Sequence, residues 1–215
     1  MSTVAAVVLA AGRSTRYRAA GGTAATKLVA TFRGEPLVRH AAVVALGAGL
    51  HPVLVVTGHA DAAVGVALAG LPVRLVHNAG YASGLASSLA AGLAVVPLEQ
   101  AAAVVMLGDM PLVRPETIAA LLEASRDDPD LQAVVPVVDT RRGNPVLLRR
   151  SLFATAVQLH GDEGARRLLR SASVRVGEVA VDDPAVLHDI DDPAGFTTGL
   201  VAVAASGGET APQAS

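Results

Sequence analysis

Short apolar runs recur along the chain, and most of their residues are β-branched. Gly, Pro, Asp or Asn bounds each run, which is typical of strands that are buried on both faces. These runs predict strands over 4–10, 53–57, 73–76, 102–107 and 133–137.

Longer segments between these runs carry apolar residues at helical spacing. They predict helices over 36–48, 60–69, 85–95 and 115–125. The last begins with Pro115 and Glu116, residue types that are favoured in the first turn of a helix. Because strands and helices alternate, the pattern predicts an α/β fold in which a doubly wound, mostly parallel sheet has helices on both faces.

The pattern changes after residue 138. A polar turn leads into a predicted strand over 146–148, a helix is predicted over 165–169, and residues 174–181 alternate as an edge or antiparallel strand does. We therefore expect a mixed sheet with a late antiparallel strand, which is common in this fold class. The length of 215 residues favours one domain, predicted over 1–199. Residues 200–215 are mostly small or polar and predict a disordered tail.

The composition then narrows the function classes. Without cysteine, the chain has no disulfide, thiolate nucleophile or Cys-ligated metal. Aromatic residues make up 2% of the chain and the formal net charge is −2, so we expect neither a nucleic-acid nor a membrane partner. No apolar run approaches the roughly 18 residues of a membrane span, and no signal peptide is evident. We therefore expect a cytoplasmic protein.

A loop of small residues with two arginines follows the first predicted strand. It reads Leu9-Ala10-Ala11-Gly12-Arg13-Ser14-Thr15-Arg16, and ligands of open α/β sheets bind at this end of the strands. Small residues let the backbone approach a ligand, and backbone amides together with arginines can hold phosphate oxygens. The loop matches neither the P-loop nor the dinucleotide fingerprint, and an ordinary strand-to-helix turn is the alternative interpretation.

Acidic residues occur after the strand predicted over 102–107 and again near the C-terminus. Asp109 lies in Leu107-Gly108-Asp109-Met110-Pro111, and Asp189 and Asp191 lie in the sequence HDIDDP. Mg²⁺ commonly takes one or two carboxylates and leaves its other positions to phosphate and water. These residues form a candidate Mg²⁺ site, with a turn or helix cap as the alternative for Asp109.

The characteristic segments occur in one order over about residues 4–196: LAAGRSTR, TKLVATFRGEPLVRHA, VVTGH, HNAGYASGLASSLAAGL, VVMLGDMPLV, GNPVLL, GDEGARRLL and DIDDP. In this combination the chain resembles the MobA-like nucleotidyltransferase family, and within it the molybdenum cofactor cytidylyltransferase branch. The resemblance implies a Rossmann-like domain of the glycosyltransferase-A type. It also implies Mg²⁺-dependent transfer of CMP from CTP to the phosphate of molybdopterin, with release of pyrophosphate.

The resemblance further implies roles for individual residues. The implied nucleotide-binding residues are Leu9, Ala10, Ala11, Gly12, Arg13, Arg16, Lys27 and Gly108. The implied catalytic residues are Arg13, Lys27 and Asp109, and the implied metal ligands are Asp109, Asp189 and Asp191. The implied acceptor-binding residues are Gly84, Ser87, Ser88, Asn144, Asp162 and Arg166.

Such a reaction joins two anions, so positioning and charge neutralisation carry most of the catalysis and no protein nucleophile is needed. One segment departs from the family pattern, because Lys27 follows Arg16 by eleven positions. We expect the added small residues to be flexible, so that Lys27 reaches the phosphates once nucleotide binding orders the loop.

Two alternatives stay open. A related transferase would use GTP, or a polyol- or sugar-phosphate acceptor, since base preference is not readable from this sequence. A non-enzymatic accessory module would bind molybdopterin and load it into a molybdenum hydroxylase apo-enzyme, which is also a candidate partner of the enzyme. The lengthened Arg16–Lys27 segment favours the module, whereas the intact motif around Asp109 favours the enzyme.

Overall fold

A mixed sheet of eight strands runs through the protein. The computed structural model describes residues 4–162 and 164–196, so the tail predicted over 200–215 lies outside the described residues. The strands are β1 (Val4–Ala10), β2 (Thr31–Phe32), β3 (Glu35–Pro36), β4 (Val53–Thr57), β5 (Arg74–His77), β6 (Ala102–Leu107), β7 (Ala133–Val138), β8 (Arg141–Arg142), β9 (Val146–Arg149) and β10 (Val176–Ala180). The α-helices are α1 (Thr15–Ala19), α2 (Leu37–Gly47), α3 (Asp61–Ala67), α4 (Leu85–Ala94), α5 (Pro115–Asp127), α6 (Phe153–Ala156) and α7 (Ala165–Leu169).

The strand order is β10-β7-β9-β6-β1-β4-β5, with β8 paired to β7. β1 is parallel to both of its neighbours, and Val8 lies opposite Val55 of β4 and Met106 of β6. The chain builds the sheet outward from β1 through β4 and β5, then returns to place β6 on the other side of β1. Such a reversal opens a crevice at the carboxyl ends of the strands. The predicted doubly wound, mostly parallel α/β fold is confirmed.

Two late strands, β8 and β9, are antiparallel to their neighbours, and β9 lies inside the sheet. Leu147 pairs with Val104 of β6 and with Val134 of β7, antiparallel in both cases. The segment expected to be an edge or antiparallel strand contains β10, which is an edge strand but runs parallel to β7. The burial of the two strands agrees with their places in the sheet. The apolar residues of β9 are nearly inaccessible to solvent, whereas β10 keeps exposed residues.

Several short elements were not predicted: α1, α6, β2, β3 and β8 span only two to five residues each. Such segments are too short for hydrophobic periodicity to develop. The turn between β2 and β3 is formed by Arg33 and Gly34, both with positive φ. None of the helices in the described part of the chain has the length and apolar character that a bilayer crossing needs.

Apolar side chains form a layer on each face of the sheet. One layer contains residues of α2 and α5, and the other contains residues of α4, α6 and α7. α4 lies close to the sheet at Gly92, where a Cβ would lie 2.4 Å from Val7 Cγ1 and 2.9 Å from Val56 Cγ2. A larger residue at this position would therefore require these two valine side chains to move.

We expect Gly92→Ala to lower the free energy of unfolding by up to about 2 kcal/mol, because an overpacking cost of about 1–3 kcal/mol exceeds the roughly 1 kcal/mol by which alanine favours a helix. Chemical denaturation measures the change. Gly47→Ala, also in a helix, is the control, since a Cβ there would meet nothing within 4 Å. Equal stability of the two variants would contradict the close approach.

Candidate active site

An open cleft of about 920 Å³ lies at the carboxyl ends of β1 and β6. Most of the candidate residues named from the sequence line it: Leu9, Ala11, Gly12, Arg13, Arg16, Lys27, Gly84, Ser88, Asp109, Asn144, Asp162, Arg166, Asp189 and Asp191. Segments from the beginning, middle and end of the chain thus converge at the reversal in strand order.

Three of the candidate residues do not line the cleft. Ala10 is buried in the core at 1% exposure. Gly108 lies behind the cleft, where its N–H donates to Leu9 O at 3.0 Å and a Cβ would stand 3.1 Å from the same oxygen. The Ser87 hydroxyl donates to Gly84 O at 2.8 Å. Their contacts shape the loops behind the cleft surface.

The acidic residues come together across a large sequence distance. One carboxylate oxygen each from Asp109, Asp189 and Asp191 lies within 4.8 Å of the others. Asp109 follows β6, and the N–H of Ile190 donates to Asp109 O at 2.9 Å. This backbone bond fixes the C-terminal segment against the end of β6, so the residues on either side of Ile190 face Asp109.

Lys27 joins the acidic cluster directly. Its Nζ lies 2.7 Å from Asp109 Oδ2 and 2.7 Å from Asp191 Oδ1, and Arg16 forms a further ion pair with Asp191. The lengthened segment before Lys27 therefore does not carry it away from the cleft. Whether nucleotide binding reorders this segment stays a prediction.

Two hydroxyl residues hold Lys27 in place, and sequence reasoning missed both. The Lys27 N–H donates to Ser14 Oγ at 3.1 Å, and Ser14 Oγ lies 2.7 Å from Thr26 Oγ1. Thr26 is fully buried. Lys27 is also the only lysine among the 215 residues, which sets it apart in the sequence.

Burial and neighbouring charges shift the pKa values of both residues in the ion pair between Lys27 and Asp109. Burial raises the pKa of the Asp109 carboxyl; Lys27 opposes this effect and Asp189 adds to it. Burial by itself lowers the pKa of Lys27, but the carboxylates of Asp109 and Asp191 outweigh it, so the pKa is raised above its ordinary value. The ammonium therefore stays charged at neutral pH.

The acidic cluster fits a divalent metal ion. Carboxylate oxygens are the ligands that Mg²⁺ and Mn²⁺ prefer. The Lys27 ammonium that bridges Asp109 and Asp191 shows that a cation is accommodated between these two carboxylates. Both the donor type and the charge of the site thus suit the ion implied by the sequence.

The loop after β1 is open where a ligand would approach. A Cβ on Gly12 would meet no atom within 4 Å, so no contact inside the described protein demands glycine there. The loop is fixed from behind, because His59 N–H donates to Ala11 O at 3.2 Å. Gly58 permits this contact, since a Cβ there would lie 2.9 Å from Ala11 Cβ and 2.5 Å from Tyr81 Cβ.

On the opposite side, two loops touch at Gly84. Its φ is +105°, and a Cβ there would lie 2.6 Å from both Gly161 O and Asp162 Oδ1. Ala86 N–H also donates to Gly161 O at 3.0 Å. The close contact holds the loop before α4 against the loop before α7, so both present side chains to one end of the cleft.

Sequence reasoning missed two polar residues on this side. Asn78 Nδ2 donates to Ser87 Oγ at 2.9 Å and to Ser88 Oγ at 3.1 Å, so both serine hydroxyls are held by this amide. Arg142 lines the cleft and is fixed by Glu178 Oε1 at 2.7 Å and by Leu169 O at 3.0 Å. Asn78 follows β5 and Arg142 is the last residue of β8, but asparagine and arginine at such positions are usually turn or surface residues.

With this geometry in place, the chain can be compared with known proteins. Residues 6–176 match the MobA-like NTP transferase domain. The chain belongs to this family. The MobA-like assignment agrees with the resemblance read from the sequence.

Similarities to individual proteins and solved structures cover most of the chain. Rv0371c of Mycobacterium tuberculosis H37Rv shares 31% identity at a TM-score of 0.80, covering 94% of this chain and 100% of that one. A structure of Rv0371c in complex with manganese superimposes with 30% identity and a TM-score of 0.74, covering 91% of this chain and 97% of that one. A nucleotidyl transferase of Methanothermobacter, Mth528, shares 25% identity at a TM-score of 0.82, covering 96% and 100%. Nicotine blue oxidoreductase of Paenarthrobacter nicotinovorans is 32% identical over 194 residues, 87% of this chain and 92% of that one.

We expect Asp109→Asn to weaken Mn²⁺ binding by more than about 100-fold, beyond the range typical of residues that only support a metal ligand. Electron paramagnetic resonance of free Mn²⁺ measures the affinity. Asp192→Asn is the control, because its carboxylate accepts from Gly195 N–H outside the cluster. Similar Mn²⁺ affinities in both variants would remove Asp109 from the metal site.

Proposed function

We propose that this MobA-like protein transfers CMP from CTP to the phosphate of a molybdopterin-type cofactor, with Mg²⁺, and releases pyrophosphate. One observation carries the proposal: the basic residues Arg16 and Lys27 form ion pairs with the acidic cluster at the carboxyl ends of β1 and β6. A site that joins two phosphate-bearing substrates needs both signs of charge within a few ångströms. The choice of CTP and molybdopterin rests on the resemblance of the motifs.

The nucleotide half of the cleft is the loop after β1 together with Lys27. Its open backbone at Gly12 and the side chains of Arg13 and Arg16 would hold the triphosphate. Lys27 would neutralise charge that builds up on the departing pyrophosphate. Its ammonium remains protonated there because neighbouring carboxylates raise its pKa.

Asp109, with Asp189 and Asp191, would hold the divalent ion. Such an ion neutralises phosphate oxygens and orients them for in-line displacement. Asp109 is positioned for this role by the Ile190 N–H bond to its backbone oxygen.

The reaction balances without a protein nucleophile. An oxygen of the acceptor phosphate forms a bond to the α-phosphorus of CTP, and the bond from that phosphorus to the bridging oxygen breaks. Pyrophosphate leaves with the electron pair. The acceptor phosphate is already ionised near neutral pH, so no general base is needed, and the chain's task is alignment and charge neutralisation.

The acceptor would lie on the side formed by Gly84, Ser88, Asn144, Asp162 and Arg166. Arg142, which also lines this side, adds a second guanidinium. Arg166 and Arg142 would attract the anionic groups of the acceptor, while Asn144 and Ser88 offer neutral hydrogen-bonding groups. The acceptor side thus combines charged and neutral polar side chains, whereas Lys27, Arg16 and the acidic residues near Asp109 are all charged.

To test the proposal, pyrophosphate release is measured with CTP, GTP, ATP and UTP, each with molybdopterin and Mg²⁺ or with EDTA. We expect release from CTP that requires both acceptor and metal. Preference for GTP, or for a sugar-phosphate acceptor, would change the substrate and keep the reaction class. Molybdopterin binding that needs no nucleotide and leads to no turnover would favour the accessory module. Nicotine blue is tested as a further substrate, because one relative is named for the oxidoreduction of this compound.

We expect Lys27→Met to lower kcat/KM by about 10²–10³-fold, the range lost when one preorganised donor to developing charge is removed. Since Lys27 is the only lysine, selective ¹⁵N-lysine labelling gives a single side-chain ammonium signal. That signal should shift when CTP is added with Mg²⁺. An unmoved signal in a protein that binds CTP would place Lys27 outside the nucleotide site.

We expect Gly84→Ala to raise KM for the acceptor while KM for CTP stays unchanged. A Cβ at Gly84 collides with Gly161 and Asp162 and is strained at positive φ, so the two acceptor-side loops separate. Gly34→Ala is the matched control, because Gly34 also has positive φ but a Cβ there meets nothing within 4 Å. An equal rise in both KM values would contradict the division of the cleft.

A further inference from the structure

A buried carboxylate lies outside the cleft and is not used by the reaction. Asp183, between β10 and the acidic cluster, is only 2% exposed. Its Oδ2 accepts from Arg114 N–H at 3.0 Å and from the Thr117 hydroxyl at 2.7 Å, and its Oδ1 accepts from Ala185 N–H at 3.3 Å. The guanidinium of Arg114 lies 3.8 Å from Oδ1. Every contact serves to fix the position of this one side chain.

The partners of Asp183 form the beginning of α5. Arg114 is the N-cap residue of this helix, and its own side chain makes no capping hydrogen bond. Pro115 has no N–H, and Thr117 lies in the first turn. A carboxylate from a distant segment therefore serves as the helix cap, in the place where a negative charge is most favourable. α5 is packed against β7, so this anchor is rigid.

From this anchor the chain proceeds directly to the metal ligands. A short 3₁₀ turn, Pro184–Leu187, follows Asp183. Val186 O accepts from Asn144 N–H at 2.8 Å, and Ile190 N–H donates to Asp109 O at 2.9 Å. The segment is thus fixed at Asp183, at Val186 and at Ile190, and Asp189 and Asp191 flank the last of these points.

We propose that Asp183 is a positioning residue for the metal centre: its bond to the start of α5 sets where Asp189 and Asp191 stand relative to Asp109. The inference rests on the metal site of the proposed function. Loss of the Asp183 anchor leaves the segment held by the backbone hydrogen bonds at Val186 and Ile190, and Asp189 and Asp191 then occupy a wider range of positions. A divalent ion binds more weakly because it has to order them.

The neighbouring residue provides a matched control. Asp182 is exposed, and within the described residues it contributes only its backbone oxygen, to Arg114 Nη1 at 3.1 Å. Asp182→Asn removes the same charge one position away and leaves the anchor intact. Thr117 provides a second route, because Thr117→Val removes one hydrogen bond and Thr117→Ser keeps the hydroxyl.

The experiment is an Mn²⁺ titration of the purified full chain, followed by electron paramagnetic resonance. We expect Asp183→Ala to weaken Mn²⁺ binding by about tenfold, as for supporting residues of other metal sites. Thr117→Val should weaken binding in the same direction by less, Thr117→Ser should restore it, and Asp182→Asn should match the wild type. If Asp183→Ala does not fold, the Mn²⁺ affinities of Thr117→Val and Thr117→Ser test the inference instead.

Hydrogen exchange separates positioning from simple helix capping. Positioning predicts faster amide exchange over 184–191 in Asp183→Ala and Thr117→Val. In Thr117→Ser it predicts that both the Mn²⁺ affinity and the protection of these amides are restored. Folded Asp183→Ala and Thr117→Val that bind Mn²⁺ as tightly as Asp182→Asn would overturn the inference and leave the proposed function intact. A wild-type protein that binds no Mn²⁺ would overturn the metal site and both proposals.

Discussion

The ammonium of Lys27 holds three distant parts of the chain around one cleft. It contacts Asp109 at the end of β6 and Asp191 in the C-terminal segment, while its own backbone is tied to Ser14 in the loop after β1. Without a cation here, the carboxylates of Asp109 and Asp191 would face each other with their like charges unneutralised, which is unfavourable. The geometry of this side of the cleft depends on the neutralisation, because the loop after β1, the end of β6 and the C-terminal segment all meet at Lys27.

The fold and the general location of the cleft could be predicted from the sequence. Buried β-branched runs define strands by local composition alone, and the position of ligands at strand ends follows from parallel topology. The place of β9 could not be predicted, because Val146–Arg149 is a short apolar run and its direction depends on which strands pair with it. Sheet pairing is a long-range property that local periodicity does not contain.

The candidate site was predicted unevenly for a similar reason. Residues in short motifs, such as Asp109 and Gly12, were found because their neighbours are informative. Asn78 and Asp183 act through partners that are 9 to 69 positions away in the sequence, and an isolated polar residue gives no indication of such a partner. Ala10 and Gly108 lie in the same motifs but behind the cleft surface, and their predicted part in nucleotide binding stays a prediction.

The direction of β9 has a consequence for how this family can change. An antiparallel strand begins at the edge where its parallel neighbours end, so the turn before β9 brings Gly143 and Asn144 to the cleft beside the loops after β1 and β6. That turn is also bound to the segment that carries Asp189 and Asp191, because Asn144 N–H donates to Val186 O at 2.8 Å and a Cβ at Gly143 would lie 2.5 Å from the same oxygen. A substitution in the turn therefore displaces the turn and the acidic segment together, while the hydrogen-bonded ladder of β1, β4 and β6 stays untouched. This wall of the cleft changes as one unit, without any change in the central strands.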